Sequence, residues 1–390
     1  MKPFRVRMTD EMIRSYGMDK QMKRMEVEPE FIENVDFTVY HSDDYVDVLK
    51  NLTLDNRDLY ADQINRFNFG EDCPIFDGMY DYCQIYTAGS LRAASWVAQG
   101  NSDIGINWAG GLHHAKKMEA SGFCYVNDCV MAILEFLKTY ERVLYIDIDC
   151  HHGDGVEEAF FTTNRVMTAS FHKFGDYFPG TGAIDDIGAG PGKHYSMNFP
   201  LSEGVDDFTF EQAFKPVMKE IMDRFKPQAI VHQCGTDSLS GDRLGLFNLS
   251  VKGHGATVEY MRSFGIPMIL VGGGGYSLRN VARCWTYETS VALGIEIDNN
   301  IPHHEYSSYF QPDSKIVVPV SNMENNNSRE SIEKSTQEIL QNLKNVQAVN
   351  VDHSYYRNQQ GHAPHHLAFD ESENRQIKED KNKDTTPDNQ

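Results

Sequence analysis

The sequence predicts an α/β fold with one large domain, in which a mostly parallel sheet is sandwiched by helices. Short apolar segments of strand length alternate with longer segments of helical periodicity, and this alternation is typical of a parallel sheet that is covered on both faces. Four polar clusters directly follow apolar segments, at the points where the strands would end. Because ligand sites of open α/β sheets lie outside the carboxyl ends of the strands, these clusters are expected to converge on one cleft.

The elements before the first buried strand are predicted mainly as helices. Residues 1–25 form a basic, Met-rich segment that favours a helix, and Phe37–His41 favours a short strand. Ser42, followed by two aspartates, is typical of a helix start. Gly70–Tyr80 is rich in glycine and aspartate and is predicted as a loop, and a long helix over about Met79–Gln99 follows it.

The rest of the chain alternates strands and helices, as the fold class requires. Four motifs, NWAGGLHH, DIDCHHGDG, QCGTD and GGGGY, each follow a predicted strand. Gly153 and Gly155 are expected to stop regular structure inside the second motif. The predicted strands are Asp103–Trp108, Leu144–Ile148, Val166–Phe171, Tyr195–Phe199, Ala229–Gln233 and Met268–Val271, and the predicted helices are Cys129–Leu137, Asp207–Phe225, Lys252–Phe264 and Leu278–Leu293.

The composition restricts the classes of function that the chain can serve. A formal net charge of −21 and a pI of about 5.1 disfavour binding of nucleic acid through a basic face, and they suit a cationic partner or substrate. The seven cysteines include no CxxC pair, which is typical of reduced thiols in a cytosolic or nuclear protein. No apolar run is long enough for a membrane span. Residues 1–345 are predicted as one domain and residues 346–390 as a disordered polar tail.

The segment Leu144–Gly155, LYIDIDCHHGDG, ends an apolar strand with ionisable side chains that are costly to bury unless they are paired or bind a metal ion. Asp149 and His151 are two residues apart, so they point the same way in extended backbone. Asp237, after the strand Ala229–Gln233, completes a set of two carboxylates and one imidazole, which are ligand types of catalytic zinc. The alternatives are a polar turn with an ion pair at the first two residues and a helix N-cap at the third.

Two histidines and a tyrosine supply further chemistry at the predicted cleft. His113 and His114 follow a glycine pair, and a kinked loop there would let both line the cleft. Asp147 and Asp154 are available to fix their tautomers, and beside a metal centre such pairs favour general acid–base catalysis over a structural role. Tyr276 follows four glycines and is either a core tyrosine or a donor to a tetrahedral oxyanion. Together these residues predict hydrolysis of an amide or an ester.

Seven segments of the chain resemble a class I histone deacetylase: NWAGGLHHAKK, SGFCYVND, YIDIDCHHGDGVEEAF, SFHKFGDYFPGTG, QCGTDSLSGDRLG, FNLSVKGH and GGGGYSLRNVARCWTYET. The resemblance covers residues 1–345. It implies a single domain with the arginase/deacetylase-like fold and zinc-dependent hydrolysis of N6-acetyl-lysine on histone tails. It also implies zinc ligands, a pair of catalytic histidines with carboxylate partners, and a catalytic tyrosine. In that order these are Asp149, His151 and Asp237; His113 and His114 with Asp147 and Asp154; and Tyr276.

The resemblance further implies sites for the substrate, for potassium and for an inositol phosphate. An apolar tube would enclose the acetyl-lysine side chain, and a carboxylate at the rim, Asp72, would orient the substrate backbone. Two potassium ions would be structural, and the inositol phosphate would be regulatory, between the enzyme and a corepressor. The implied residues are Gly122, Phe123, Phe178 and Leu244, with His152 nearby, for the tube; Asp147, Asp149, His151, Ser170 and Phe171 for the first potassium ion; Phe160, Thr163, Val166 and Tyr195 for the second; and Lys2, Arg243 and Arg279 for the inositol phosphate.

Three other functions compete with this interpretation. A first strand and a Gly-His-Pro loop of the family have no counterpart in this sequence, so a catalytically impaired chromatin scaffold is one alternative. A deacetylase of acetylpolyamines or other small amides is the second, and Arg243 and Arg279 argue against it. A binuclear manganese ureohydrolase is the third, and it needs more metal-binding carboxylates. The expected partners are histone tails and corepressor subunits, without nucleic acid or membrane, and the expected location is the nucleus, with the cytoplasm left open.

Overall fold

A computed structural model describes residues 2–349 of the chain. Six parallel strands form one open sheet in the order β1-β6-β5-β2-β3-β4. The predicted α/β class and the parallel sheet between helices are therefore confirmed. The strands are β1 Ile104–Asn107, β2 Val143–Asp147, β3 Val166–Lys173, β4 Ser196–Leu201, β5 Ala229–Gln233 and β6 Met268–Val271.

Eleven α-helices surround this sheet within residues 2–349. All the helices predicted after residue 42 are found, with ends that lie at most two residues from the predicted ones. The helices are α1 Phe4–Ser15, α2 Pro29–Glu33, α3 Asp43–Asn51, α4 Ala61–Arg66, α5 Met79–Ala98, α6 Asp128–Phe136, α7 Asp154–Phe160, α8 Asp207–Phe225, α9 Val251–Arg262, α10 Leu278–Leu293 and α11 Arg329–Leu343.

The sheet is buried on both faces because helices pack on each side of it. One face, with Leu144 and Ile146 of β2, packs against α1 and α8 to α11. The other face, with Val143 and Tyr145 of the same strand, packs against α5, α6 and α7. Every residue of β2 is buried, which explains why its sequence is apolar without alternation. A third apolar cluster, built around Tyr45 and neighbouring aromatic residues, supports the loops before β1.

Two predictions made from the sequence are wrong or incomplete, and several helices were not predicted. Phe37–His41 is not a strand, because Phe37–Val39 forms a 3₁₀ turn in which the Asp36 side chain accepts a hydrogen bond from the Thr38 amide. The helix predicted over residues 1–25 ends at Ser15, before Gly17 adopts a φ of 70°. The short α2 and α4, and the longer α11, were not predicted.

The helix α7 begins at the point where regular structure was expected to stop. Gly155 lies inside this helix, and a Cβ atom there would overlap the carbonyl oxygens of His113 and Ala115. The glycine is therefore required for close approach of α7 to the loop after β1, and it does not break the helix. This packing brings Asp154, the first residue of α7, next to that loop.

The packed unit extends to Val349. Val346 is buried, and the Tyr195 hydroxyl donates a hydrogen bond to the Gln347 carbonyl at 2.9 Å. The remainder of the predicted polar tail, residues 350–390, lies outside the described residues, as does Met1. Within the described part of the chain, no helix is long and apolar enough to cross a membrane.

A candidate metal centre at the carboxyl ends of the strands

The loops after β2 and β5 bring two carboxylates and one imidazole together. One ligand atom each from Asp149, His151 and Asp237 lies within 4.8 Å of the others, and all three residues are buried. The His151 Nδ1 atom is 3.1 Å from Asp149 Oδ1 and 2.9 Å from Asp237 Oδ2. These three residues, here called the cleft cluster, are the set that the sequence predicted as metal ligands.

Hydrogen bonds from the surrounding loops orient both carboxylates of the cleft cluster. Asp149 Oδ2 accepts from the Gln233 side-chain amide at 3.0 Å and from the Gly274 backbone N–H at 2.8 Å. Asp237 Oδ1 accepts from the Cys150 backbone N–H at 2.8 Å. Each carboxylate therefore has one oxygen that is fixed by a neutral donor.

The charges of the cleft cluster favour a bound cation. Burial and then the negative charge of Asp149 raise the pKa of Asp237 to about 7. Burial opposes the charged form of His151, but Asp237 and Asp149 outweigh it and raise the pKa of His151 to about 10. Two buried carboxylates with one imidazole fit zinc in charge and in ligand type. Around tetrahedral zinc with bonds of about 2.0–2.1 Å, two ligand atoms would lie about 3.3 Å apart. The observed separations are close to this value.

His113 and His114 lie beside the cleft cluster, each with a carboxylate partner. His113 Nδ1 is 2.7 Å from Asp147 Oδ2, and His114 Nδ1 is 2.8 Å from Asp154 Oδ1. The two imidazole rings are 3.9 Å apart between centroids. Gly111, with a φ of 93°, kinks the loop that carries both histidines, so that adjacent residues line the same cleft.

The two histidines differ in their charge preference. Burial lowers the pKa of His113, but the charges of Asp147 and Asp149 outweigh burial and raise it to about 9. For His114, burial and then the charge of His113 lower the pKa to about 4, against the opposing effect of Asp154. Two imidazoles at this distance cannot both be protonated without strong repulsion, so one charged and one neutral ring are expected.

Asp128 fixes the loop that carries the histidines, and the sequence did not reveal it. Its buried carboxylate accepts hydrogen bonds from the Gly111 and Leu112 backbone N–H groups at 2.8–3.0 Å and from the Ser90 hydroxyl at 2.6 Å. The available signal was an aspartate at the first position of the apolar helix α6. A charged residue that starts such a buried helix requires several donors.

Tyr276 follows β6 and the glycine loop Gly272–Gly275. Its backbone N–H donates to Asp242 Oδ2 at 2.7 Å, and the pKa of its hydroxyl is raised by partial burial and by the nearby carboxylates Asp237 and Asp149. Arg5 of α1 donates to the Gly275 carbonyl at 2.8 Å and to the Gly273 carbonyl, and its guanidinium lies 4.9 Å from the centre of the Trp285 ring. Arg5 and Asp242 therefore position the tyrosine loop, and sequence reasoning missed both.

The residues predicted as a tube lie next to these groups. The Phe123 ring is 5.8 Å from the Tyr276 ring, and the Phe178 ring is 4.9 Å from the His114 ring. A Cβ atom at Gly122 would overlap the rings of His114 and Phe178, so this glycine lets the walls approach closely. Phe178 is 42% exposed and Leu244 is 46% exposed, which places both at an open end.

His152 and Asp72, which were also predicted at the substrate site, differ in exposure, and a ring that lies against the cleft cluster was missed. His152 is fully buried, with its ring atoms 2.8 Å from the Thr181 hydroxyl and 3.3 Å from the Glu157 carboxylate, so it supports the structure behind the cleft. Asp72 is exposed in the loop before α5. The Tyr177 ring stacks on the His151 ring at 4.9 Å between centroids and was not predicted.

The residues suggested for potassium and for an inositol phosphate fall into three places. Asp147 and Ser170 are paired across β2 and β3, and the Asp149 backbone N–H donates to Asp147 Oδ1 at 3.1 Å. The second set lies around the start of β3, where the Thr163 backbone N–H donates to the Phe160 carbonyl at 3.1 Å. Lys2 and Arg243 line a cavity of about 320 Å³ together with Leu244, Gly275, Tyr276 and Leu278, which Arg279 follows in the chain.

Comparison with known proteins identifies relatives over most of the chain. The histone deacetylase domain family matches residues 1–292. The chain is 56% identical over 344 residues to histone deacetylase 1 of Homo sapiens, which covers 88% of this chain and 71% of the relative. It is 57% identical over 347 residues to histone deacetylase 19 of Arabidopsis thaliana, with 89% and 69% covered. It is 53% identical over 346 residues to type-1 histone deacetylase 1 of Dictyostelium discoideum, with 89% and 70% covered.

Proposed function

The chain belongs to the histone deacetylase family, and from this premise we propose that it hydrolyses the N6-acetyl-lysine amide of histone tails to lysine and acetate. The resemblance to class I histone deacetylases and the prediction of a hydrolase are thereby confirmed. The observation that carries the proposal is the convergence of the cleft cluster with His113, His114 and Tyr276. The scaffold and small-amide alternatives have no comparable support.

Asp149, His151 and Asp237 would hold the metal ion of this metal-dependent family, and we propose zinc. Bound there, zinc would lower the pKa of a water molecule toward ~7 and polarise the acetyl carbonyl. Gln233 and the Gly274 N–H would keep Asp149 oriented for this task. Tyr177, stacked on His151, would restrict rotation of that imidazole.

His113 and His114 would move the proton between water and the departing lysine amine. Each Nδ1 atom is engaged by a carboxylate, so each Nε2 atom is the one that can accept or donate a proton. His113 Nε2 lies 3.8 Å from Asp149 Oδ2, which places it beside the cleft cluster. The difference in pKa between the two rings would leave His114 neutral, able to accept a proton as a base, while His113 is protonated and can donate one as an acid.

Tyr276 would donate a hydrogen bond from its hydroxyl to the oxyanion that forms when the acetyl carbonyl is attacked. A phenol whose pKa is raised keeps its proton at neutral pH and therefore remains a donor. Arg5 and Asp242 would hold the glycine loop in place, so that no reorganisation is needed when the charge develops.

The substrate would enter between apolar walls and meet an acidic surface. Phe123, Phe178, Gly122 and Leu244 would contact the methylenes of the acetylated lysine, which is neutral before hydrolysis. Asp72 in its exposed loop would bind the substrate backbone at the rim. The formal net charge of −21 would attract the basic tail that carries the acetyl-lysine.

Further ligands and partners complete the proposal. We infer two structural potassium sites, one around Asp147 and Ser170 and one around Phe160 and Thr163, from the clustering of these residues at β2, α7 and β3. We infer an inositol phosphate between Lys2, Arg243 and Arg279 and a corepressor subunit, because two of these cations line one cavity. Chromatin regulation in the nucleus follows from the family, and cytoplasmic residence remains part of the proposal.

Turnover of an acetylated histone-tail peptide by the Tyr276→Phe variant tests this function. Removing one oxyanion donor should lower kcat about 10²–10³-fold while zinc content stays unchanged. Tyr140→Phe, at a tyrosine before the amino end of β2, is the matched control and should retain full activity. Absence of turnover by the unmodified chain at full zinc occupancy, or full activity of Tyr276→Phe, would contradict the proposal.

A further inference from the structure

A second buried histidine–carboxylate cluster lies beneath the cleft, between α9 and α10. It consists of His254, Cys284 and Glu288, here called the inner cluster, and all three side chains are fully buried. His254 Nδ1 is 2.6 Å from Glu288 Oε1, and His254 Nε2 is 2.9 Å from the Gly235 carbonyl oxygen. The proposed catalytic steps use none of these three residues.

The Gly235 carbonyl belongs to the short loop that carries a metal ligand. Asp237 follows two residues later, and the Gly235 backbone lies against the other carboxylate, since a Cβ atom at residue 235 would overlap Asp149. The Gly235 N–H donates to the Gln233 side-chain oxygen at 2.8 Å, and the Gln233 side-chain amide donates to Asp149. A displacement of Gly235 would therefore move both carboxylates of the cleft cluster.

The direction of the hydrogen bonds indicates what His254 and Glu288 each do. A carbonyl oxygen only accepts, so the proton in the contact with Gly235 lies on His254 Nε2. The Glu288 carboxylate at Nδ1 fixes the plane of the imidazole ring. Because the Gly235 oxygen can only accept, the ring acts as a donor toward Gly235 whether or not its second nitrogen is protonated.

We propose that His254 and Glu288 are positioning residues for the metal centre: Glu288 orients His254, and His254 holds the Gly235 carbonyl, so that Asp237 and Asp149 keep the separation that a metal ion requires. The inference rests on the proposed function, because it assigns these residues a role in metal binding by the cleft cluster. It concerns contacts behind the ligands, which commonly change metal affinity or activity by about 10–100-fold when they are removed.

The inner cluster is itself a candidate metal site by distance alone, since its ligand atoms lie within 4.8 Å of one another. Both ring nitrogens of His254 are already at hydrogen-bond distance from protein acceptors, and the Cys284 thiol has a pKa raised by burial to about 12, which keeps it protonated. The geometry therefore favours a hydrogen-bonded support over a second metal ion. A zinc stoichiometry of two per chain would overturn this assignment.

Zinc affinity of the metal-free chain, measured against a competing chelator, is the first readout for the variants. His254→Leu and Glu288→Leu should weaken zinc binding about 10–100-fold, because the loop loses its donor or the donor loses its orientation. Glu288→Gln should stay within about threefold of the unmodified chain, since its amide can donate to Nδ1 and leave the Nε2 proton on Gly235. A purely structural role in packing would not distinguish Gln from Leu at equal thermal stability.

Steady-state kinetics at saturating zinc supply the second readout. The leucine variants should lower kcat and leave KM for the acetylated peptide within about twofold, because the peptide does not contact either residue. His232→Leu, which removes another buried histidine from the neighbouring strand β5, is the matched control and should change neither zinc affinity nor kcat at pH 8.

The unmodified chain and Asp237→Asn are measured in parallel, so that failure of the proposed function can be distinguished from failure of this inference. If the unmodified chain binds no zinc, the proposed function and this inference both fail. If it binds zinc and turns over substrate while folded His254→Leu matches it in zinc affinity, only the inference fails. Should His254→Leu not fold, Glu288→Asp replaces it; this variant keeps the charge but shortens the side chain, and zinc affinity equal to that of Glu288→Gln would overturn the inference.

Discussion

The cleft cluster and the inner cluster each combine a histidine with carboxylate, but the fold places them differently. In both, three potential ligand atoms lie within 4.8 Å, and all the residues are buried. The cleft ligands come from loops at the carboxyl ends of two parallel strands, beside Phe178, which is partly exposed. The inner residues come from the facing sides of α9 and α10 and are sealed from solvent.

The two clusters differ in their hydrogen bonding as clearly as in their access to solvent. In the cleft, one imidazole nitrogen is directed at two carboxylates, an arrangement that concentrates negative charge. In the inner cluster, the imidazole lies between one carboxylate and a backbone carbonyl, and both its nitrogens are satisfied. Residue type and separation therefore do not distinguish a metal site from its support, whereas access and the partners of each nitrogen do.

Loss of one carboxylate from the cleft cluster should produce the largest difference between the two clusters. Asp237→Asn keeps the shape of the side chain but removes a charged ligand, so zinc should be lost. Turnover should fall to below ~10⁻³ of the unmodified chain, since water activation and carbonyl polarisation each supply several kcal/mol. Glu288→Gln, the same kind of change in the inner cluster, should retain zinc and most of the activity. Metal analysis of the purified proteins beside peptide turnover measures both, and equal zinc loss in the two variants would contradict the distinction.

Gly235→Ala should produce a smaller effect that links the two clusters. The added methyl group would overlap the Asp149 carboxylate, so the loop must shift and pull on the His254 contact. We expect a loss of about 1–3 kcal/mol in unfolding free energy from overpacking, and a zinc affinity lowered about 10–100-fold.

Gly70→Ala is the matched control for that variant, because nothing lies within 4 Å of a Cβ atom there and its φ is outside the left-handed region. Thermal unfolding and chelator competition should leave Gly70→Ala unchanged. A zinc affinity of Gly235→Ala equal to that of the control would show that the loop tolerates displacement.

The smallest effect concerns His232, a buried histidine near the inner cluster whose ring nitrogens have no hydrogen-bond partner among the described residues. Burial and then the charge of His254 lower the pKa of His232 from 6.5 to about 3. Between these two pH values the unfolded chain binds a proton that the native chain does not, so native stability falls as pH falls. The loss relative to neutral pH reaches about 2 kcal/mol at pH 5.

His232→Leu should remove this loss, because leucine does not titrate. The melting temperature of the variant relative to that of the unmodified chain should therefore change little between pH 8 and pH 7 and should rise as the pH is lowered from about 6.5 to 5, as scanning fluorimetry can measure. A constant difference in melting temperature across this range would show that His232 is protonated, or hydrated, in the native protein.

Much of the fold could be predicted from the sequence because its strands and helices have strong hydrophobic patterns. The strands β5 and β6 and the helices α8 and α10 match the predicted bounds, since apolar strands and periodic helices dominate their local preferences. The short segments failed: Phe37–Val39 is β-branched and aromatic but is held in a turn by the Asp36 side chain. A single side-chain hydrogen bond of this kind overrides propensity over three residues.

The same division applies to the candidate site. The amino-acid sequence was enough to predict the chemical groups and the strand ends that carry them, because ligand sites of open α/β sheets lie outside the carboxyl ends of the strands. The family resemblance implied that Asp147 would pair with His113 and Asp154 with His114, and the structure places both pairs within 2.8 Å. The position of polar residues at the ends of predicted strands also indicated that Asp149, His151 and Asp237 converge, although they are separated by up to 88 positions in the chain.

Which buried groups support that chemistry could be seen only in the folded protein. Asp128, Arg5 and the pair His254–Glu288 act on loops that are distant in sequence, through backbone N–H and carbonyl groups that any residue could offer. The folded structure also shows that the His152 side chain contacts Glu157. Local sequence encodes which side chains are available, but contacts to the backbone across 19 to 270 residues depend on how the helices pack on the sheet.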